Sequence, residues 1–183
     1  MIVDGATIVA LVLPAREPTF EEVDTEIADA IAALVERFVR RQPSWVGQRE
    51  LGVTDIGCID PHVQSGGAVR DRLRARGLGD VMVDTPEIWQ GGQRPLMVVK
   101  HPLSDGGRPD EFDLEAGRWC VMLSRHLHGC VVVARGNIES VLGDYLHDCG
   151  RTPSGAEDAI WRGYRAHSGV WDALKRRDRL LPA

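Results

Sequence analysis

Cysteine is sparse in this chain, and no Cys-x-x-Cys pair occurs among Cys58, Cys120, Cys130 and Cys149. That spacing excludes a zinc finger or a dithiol redox centre and points to a reducing, cytoplasmic compartment. No apolar run approaches the ~18 residues needed to cross a bilayer, so no membrane span is expected. Asp4 stands where a secretory leader would be basic, so no signal peptide is expected. There is no internal repeat, no low-complexity block and no recognisable nucleophile–base pair for small-molecule catalysis. A Gly-x-x-x-x-Gly-Lys-Ser/Thr loop is also missing, so the chain carries no phosphate cradle of that kind.

What is present is an ordinary globular composition. Of 183 residues, 43% are hydrophobic and 27% charged, enough for one domain with a sizeable core. The net charge of −5 does not announce a nucleic-acid binder, although a local groove remains compatible with it.

Apolar runs alternate with amphipathic segments. Thr7 to Leu13, Val53 to Ile59, Asp80 to Asp84, Leu96 to Lys100 and Cys130 to Ala134 read as strands. A helix is expected from Thr19 to Arg41, opened by a Thr19/Glu22 capping box and closed by Pro43. Pro61 to Gly67 reads as a turn, followed by a short basic helix from Ala68 to Arg76 with Gly77 as its cap. Leu114 to His128 has helix-compatible spacing, Asn137 can cap a helix to about His147, and Ser104 to Asp110 is a polar loop. A Gly/Pro/Ser stretch from Gly150 to Gly155 precedes a last amphipathic segment ending in Lys175-Arg176-Arg177. That basic end suits a solvated helix terminus, with contact to nucleic acid as the alternative reading. Because the strands are continuous apolar runs, both faces of the sheet should be covered, which gives an α/β fold with a mainly parallel sheet.

Two blocks carry the chemistry. Thr85-Pro86-Glu87-Ile88-Trp89-Gln90-Gly91-Gly92-Gln93 follows a strand, where ligand groups of such sheets gather. The second block holds Arg118 and Arg125, about two helical turns apart and on one face if the segment is a helix. An arginine beside buried apolar residues needs an anion, and either a carboxylate of the same fold or a phosphate would serve. His126 and His128, beside Cys120 and Cys130, would diverge by ~200° on a helix, so no metal site is expected.

These blocks resemble motifs V and VI of superfamily 1 DNA/RNA helicases, in the second, C-terminal RecA-like domain. Motif V has the form Thr-x-x-x-Phe-Gln-Gly-x-Glu, and Thr85, Trp89, Gln90, Gly91 and Gln93 stand in those places. Motif VI has the form Arg-x-Asn-Val-Ala-Leu-Thr-Arg-Ala-Arg, against Arg118 to Leu127 here. An upstream Ile-Gly-Val-Ile-x-Pro-Tyr/His stretch is matched by Ile56 to His62. The order and spacing of all three agree over roughly Val53 to Leu142, and the Trp-Gln-Gly and His-Pro-Leu-Ser features look like an actinobacterial-type subgroup.

The resemblance implies a three-layer, RecA-like domain of P-loop NTPase type over residues 1–149, with a helical C-terminal extension over 150–183. It implies that Arg125 is an arginine finger for ATP held by a partner domain and that Arg118 supports it. Gln90, Gly91 and Gln93 would link the nucleotide cleft to the nucleic-acid path, and Thr85 and His62 would approach the DNA or RNA backbone. ATP and Mg²⁺ would be shared with an N-terminal RecA-like domain carrying the phosphate loop, on the same or a separate chain, and this chain alone would be catalytically silent. Gln93 in place of Glu and Leu127 in place of a basic residue depart from the pattern. They leave open a helicase-derived module that binds nucleic acid or protein without turnover.

Overall fold

The structure is a computed structural model that describes residues 8–16, 23–41, 50–105, 110–148 and 159–183. Among these residues six strands form one sheet: β1 (Ile8–Leu13), β2 (Ile56–Ile59), β3 (Met82–Asp84), β4 (Arg94–Lys100), β5 (His126–Arg135) and β6 (Leu180–Pro182). Their order is β3-β2-β4-β5-β1-β6, and every neighbouring pair is parallel. Among the described residues five α-helices accompany them: α1 (Thr25–Arg41), α2 (Val63–Ala75), α3 (Ala116–Leu123), α4 (Ile138–Asp148) and α5 (Ala159–Arg176).

Alternation along the strands divides the core in two. Cys58, Leu96, Val98 and Val133 face a cluster that includes Ile27 and Ile31 of α1 and Val69 and Leu73 of α2. Ile59, Met97, Val99, Val132 and Ala134 face the other, with Trp119 and Met122 of α3, Ile138 and Leu142 of α4, and Trp171 and Leu174 of α5. Both sheet faces are therefore covered, as continuous apolar strands require. This is the three-layer α/β fold with a parallel sheet that the sequence pattern led one to expect.

The C-terminal segment is built into this architecture. Trp171 and Leu174 of α5 sit in the core, and β6 pairs with β1 through Ala10–Leu180 and Val12–Pro182. At Gly163 an added Cβ would collide with the backbone carbonyl of Leu114, so glycine is what lets α5 lie close to the segment leading into α3.

Several boundaries differ from the sequence expectation. Thr19, Glu22 and Pro43 lie outside the described residues, as do Gly150 to Gly155 and Cys149. The cap of α1 within view is Asp24, whose Oδ1 accepts from the backbone N–H groups of Glu26 and Ile27 at 3.1 and 3.2 Å. Val53 to Asp55 is a single 3-10 turn ahead of β2, held by the buried Asp55 carboxylate accepting from Gly52 N–H at 2.7 Å. Pro61 to Gly67 is not a turn throughout, because α2 already begins at Val63. Its two glycines sit on the helix. Gly77 does end α2, with φ +71° and its N–H on Arg74 O.

The largest correction concerns the second block. α3 stops at Leu123, and His126 already belongs to β5. Pairing with β4 wins over helical spacing here: Arg94 aligns with His126, and a bulge shifts the register before Leu96 meets Gly129. His126 and His128 thus lie on a strand, at a point where a bulge interrupts its alternation, instead of diverging around a helix.

Candidate functional site

In a parallel sheet, ligands collect where neighbouring strands send their chains to opposite faces. β2 leads into α2 on one face and β4 leads into α3 on the other, so the crevice at their C-terminal ends is such a point. Asp60, His62, Lys100 and His101 follow or end these two strands.

His62 stands at the N-cap of α2, and Thr85 follows β3. The structure brings them together, lining a cavity of about 30 Å³ with Asp60, Asp84 and Arg70 in its wall. That volume suits about one water molecule. Asp60 accepts from His62 N–H at 3.0 Å and from Ser65 Oγ at 2.7 Å. Ser65 Oγ in turn accepts from Lys100 Nζ at 2.6 Å, and Lys100 lies 3.9 Å from Asp60 Oδ1. Lys100 is completely buried. Sequence reasoning missed it because it closes an apolar strand. A lysine in the continuous run Leu96 to Lys100 was the available signal. Desolvation, with the Asp60 charge adding to it, pushes the neighbouring Cys58 thiol up to about 12, so that cysteine is an inert packing residue.

Arg118 reaches the same sheet edge from the first turn of α3. Its guanidinium meets Glu87 Oε1 at 2.7 Å and Glu115 Oε2 at 3.4 Å, and lies 3.5 Å from the Phe112 ring centroid. The other neighbour of Phe112 is His62, stacked at 5.5 Å. Asp113 Oδ1 comes within 3.1 Å of His62 Nε2, a close approach without aligned hydrogen-bond geometry. Desolvation would raise the Glu87 carboxyl. Hydrogen bonds from its own backbone N–H and from Thr85, then the Arg118 charge, instead hold it below the usual range. The anion beside Arg118 is thus a carboxylate of the same fold.

The loop from Thr85 to Gln93 descends from this edge to the opposite one. Its anchor is Trp89, buried, with Nε1 donating to Cys58 O at 3.1 Å. Gly57 makes room for that ring: an added Cβ would sit 2.5 Å from Trp89 Cη2. Beyond the anchor, Gln90, Gly91 and Gln93 are exposed, and Gly91 takes φ +84°. Gln93 delivers the chain to Arg94, whose N–H donates to Arg125 O at 3.0 Å.

Arg125 therefore stands with Gln93 at the N-terminal edge of the sheet, away from Arg118, His62 and Thr85. Its guanidinium donates to Ser124 Oγ at 2.9 and 3.3 Å, and no carboxylate among the described residues pairs with it. Arg118 and Arg125 do not share a helix face, because α3 ends between them. Among the described residues no group of His, Cys, Asp or Glu could hold a metal ion. A larger cleft of about 580 Å³ lies at the ends of β1 and β6, beside Trp171, Lys175 and Glu139, and none of the sequence-predicted residues lines it.

No protein-family model matches the chain, and no curated protein does. Among solved structures it is similar to the C-terminal domain of a possible DNA helicase from Lactobacillus plantarum WCFS1. The two are 15% identical, the match covers 73% of this chain and 75% of that one, and the TM-score is 0.47. Similarity of that degree transfers no function. No helix among the described residues is long and apolar enough to cross a membrane.

Proposed function

We propose that this chain is the C-terminal motor half of an ATP-dependent helicase or translocase. One observation carries the reading. The residues that the motif resemblance assigns to nucleotide, Gln93 and Arg125, meet at one sheet edge through the Arg94–Arg125 backbone hydrogen bond. Those assigned to nucleic acid, His62 and Thr85, meet at the other in one cavity wall. The Thr85–Gln93 loop joins the two edges and is pinned at its middle by Trp89.

Arg125 fits a phosphate partner, since it lacks a carboxylate and carries a planar donor fork. When bound to a partner domain that holds the phosphate loop, ATP with Mg²⁺ supplies the phosphoryl group to be cleaved. Arg125 would set a positive charge against the charge that develops there. The exposed Gln90, Gly91 and Gln93 would close against that partner, while His62 and Thr85 would meet the nucleic-acid backbone. Arg118 serves as a positioning residue, tying Glu87 of the loop to α3.

A second reading has its own support. Leu127 is exposed where the motif carries a basic residue, and Gln93 lacks the carboxylate of the motif. Both suit a domain that keeps the fold and binds a partner without turnover. The deciding experiment measures nucleic-acid-stimulated ATP hydrolysis by this chain combined with a helicase N-terminal domain carrying the phosphate loop. The motor reading expects hydrolysis only in the combination, and a fall of about 10³-fold for Arg125→Ala. Hydrolysis unchanged by that substitution would leave the binding module.

A further inference from the structure

Helix α5 presents an arginine face that neither edge of the sheet uses. At 100° per residue, Arg162, Arg165 and Arg176 fall within an arc of about 60°. Gly163, His167, Trp171 and Leu174, the buried residues of the helix, lie on the opposite side. Arg162, Arg165, Arg176 and the adjoining Arg177 are exposed. Among the described residues no carboxylate pairs with any of the four, whereas Lys175 beside them is held by Glu139 at 2.7 Å. Asp172 is the acidic residue on the same face. From Ala159 to Arg179 six basic side chains stand against two acidic ones, in a chain of net charge −5. Beside the stripe, Trp161 and Tyr164 stack at 5.4 Å with rings 10° from parallel.

We propose that this face of α5 is a second nucleic-acid contact, one that follows the phosphates of a single strand. Unpaired guanidiniums at Arg162 and Arg165 and again at Arg176, about 21 Å apart from first to last along the helix, offer several phosphate contacts in line. The flanking Trp161–Tyr164 stack, half-buried and with Tyr164 packed against the core, borders the stripe with the kind of ring on which bases stack with little regard to sequence. A membrane surface is the poorer match, because an interfacial helix needs an exposed apolar face and that of α5 is spent on the core. The proposal does not depend on Arg125 or on ATP, and it lies outside the three helicase-like motifs.

The test is fluorescence anisotropy with a labelled oligothymidine of about 20 nucleotides, titrated with the full chain between roughly 50 and 200 mM salt. Wild type should bind with a salt slope that loses about 0.7 for each contact removed. Arg162→Gln/Arg165→Gln/Arg176→Gln should bind about tenfold more weakly, with a slope shallower by about 2. The thermal midpoint should hold, since all three side chains face solvent. Phosphatidylserine vesicles and His62→Ala/Thr85→Ala form the other arms. Unchanged affinity and slope in the triple variant overturn the proposal. So does vesicle binding that the triple variant loses while the oligonucleotide affinity stays the same. Loss of oligonucleotide binding only in His62→Ala/Thr85→Ala overturns it too, while leaving the helicase reading standing.

Discussion

Lys100 and Asp60 face each other 3.9 Å apart across the C-terminal ends of two adjacent parallel strands, both inside the protein. Ser65 Oγ joins them, donating to Asp60 and accepting from Lys100. The hydroxyl ties the start of α2 to the end of β4 and thereby fixes the crevice where the two strands part.

Removing one member of such a pair strands the other in a dry site, at a cost of about 3–5 kcal/mol. Lys100→Met should therefore lower unfolding stability in urea by that order. Lys100→Met/Asp60→Asn should recover most of it, since no unpaired charge remains. A double variant as unstable as the two single losses added together would mean that the pair does not act as a unit.

How much of this was legible in the sequence follows from what each signal measures. Apolar runs gave all strands but β6, because burial on both faces leaves a continuous hydrophobic trace. β6 escaped because three residues ending in Leu181-Pro182 at a sheet edge carry no period. The second block misled because Ala116 to Leu123 and Cys130 to Ala134 both read correctly, yet the residues between them are placed by pairing with β4 and not by local propensity. The two-edged layout of the site residues was invisible, since Arg118 and Arg125 are close in sequence and separate only once α3 ends at Leu123. The arginine stripe of α5 was visible only as a basic end, because its exposure depends on the core contacts of Trp171 and Leu174.

Glycine-to-alanine changes should have opposite signs at two neighbouring sites. At Gly57 the new methyl would stand 2.5 Å from Trp89 Cη2 and 2.9 Å from Met97 Sδ, in a packed interior. Gly57→Ala should destabilise by about 1–3 kcal/mol and loosen the loop that carries Gln90 and Gln93. At Gly67 of α2 the nearest atom beyond its neighbours is the end of the Arg70 side chain at 3.9 Å. Gly67→Ala should stabilise by about 0.5–1 kcal/mol, by helix propensity alone. Urea titration reads both, and a stable Gly57→Ala would show that Trp89 does not need that gap.

Acid should weaken the docking of α5. His167 stacks on Trp119 at 4.9 Å and meets His101 edge-on at 5.3 Å, and Trp171 closes the group. His101 Nδ1 accepts from Leu103 N–H, and neither nitrogen of His167 has a hydrogen-bond partner among the described residues. Burial pushes His167 down to about 4, against the raising influence of Asp113, and burial with the His167 charge pushes His101 well below its ordinary value. The unfolded chain then binds more protons than the folded one below about pH 6.5. Stability should be full above that pH and fall as pH drops toward 4, by about 1.4 kcal/mol per unit for each group. His167→Phe, which keeps a ring against Trp119, should flatten the profile. A slope between pH 6.5 and 4.5 identical to wild type would remove His167 from this account.

The two motif arginines should separate in stability as they do in space. Arg118 is mostly buried, lies over the Phe112 ring and grips Glu87, itself half exposed, so the ion pair is partly screened. Arg118→Ala should cost about 1–2 kcal/mol from the lost ring contact and packing, and it should loosen the turn at Glu87. Among the described residues the Arg125 guanidinium bonds only the hydroxyl of its neighbour Ser124, so Arg125→Ala should shift unfolding by less than about 0.5 kcal/mol. Paired thermal melts and ATPase assays with a phosphate-loop partner distinguish the roles. Arg125→Ala should abolish turnover with an unchanged melt, and Arg118→Lys should restore part of what Arg118→Ala loses in both. If Arg125→Ala instead melts early while hydrolysis persists, its guanidinium belongs to the fold and not to a neighbouring nucleotide.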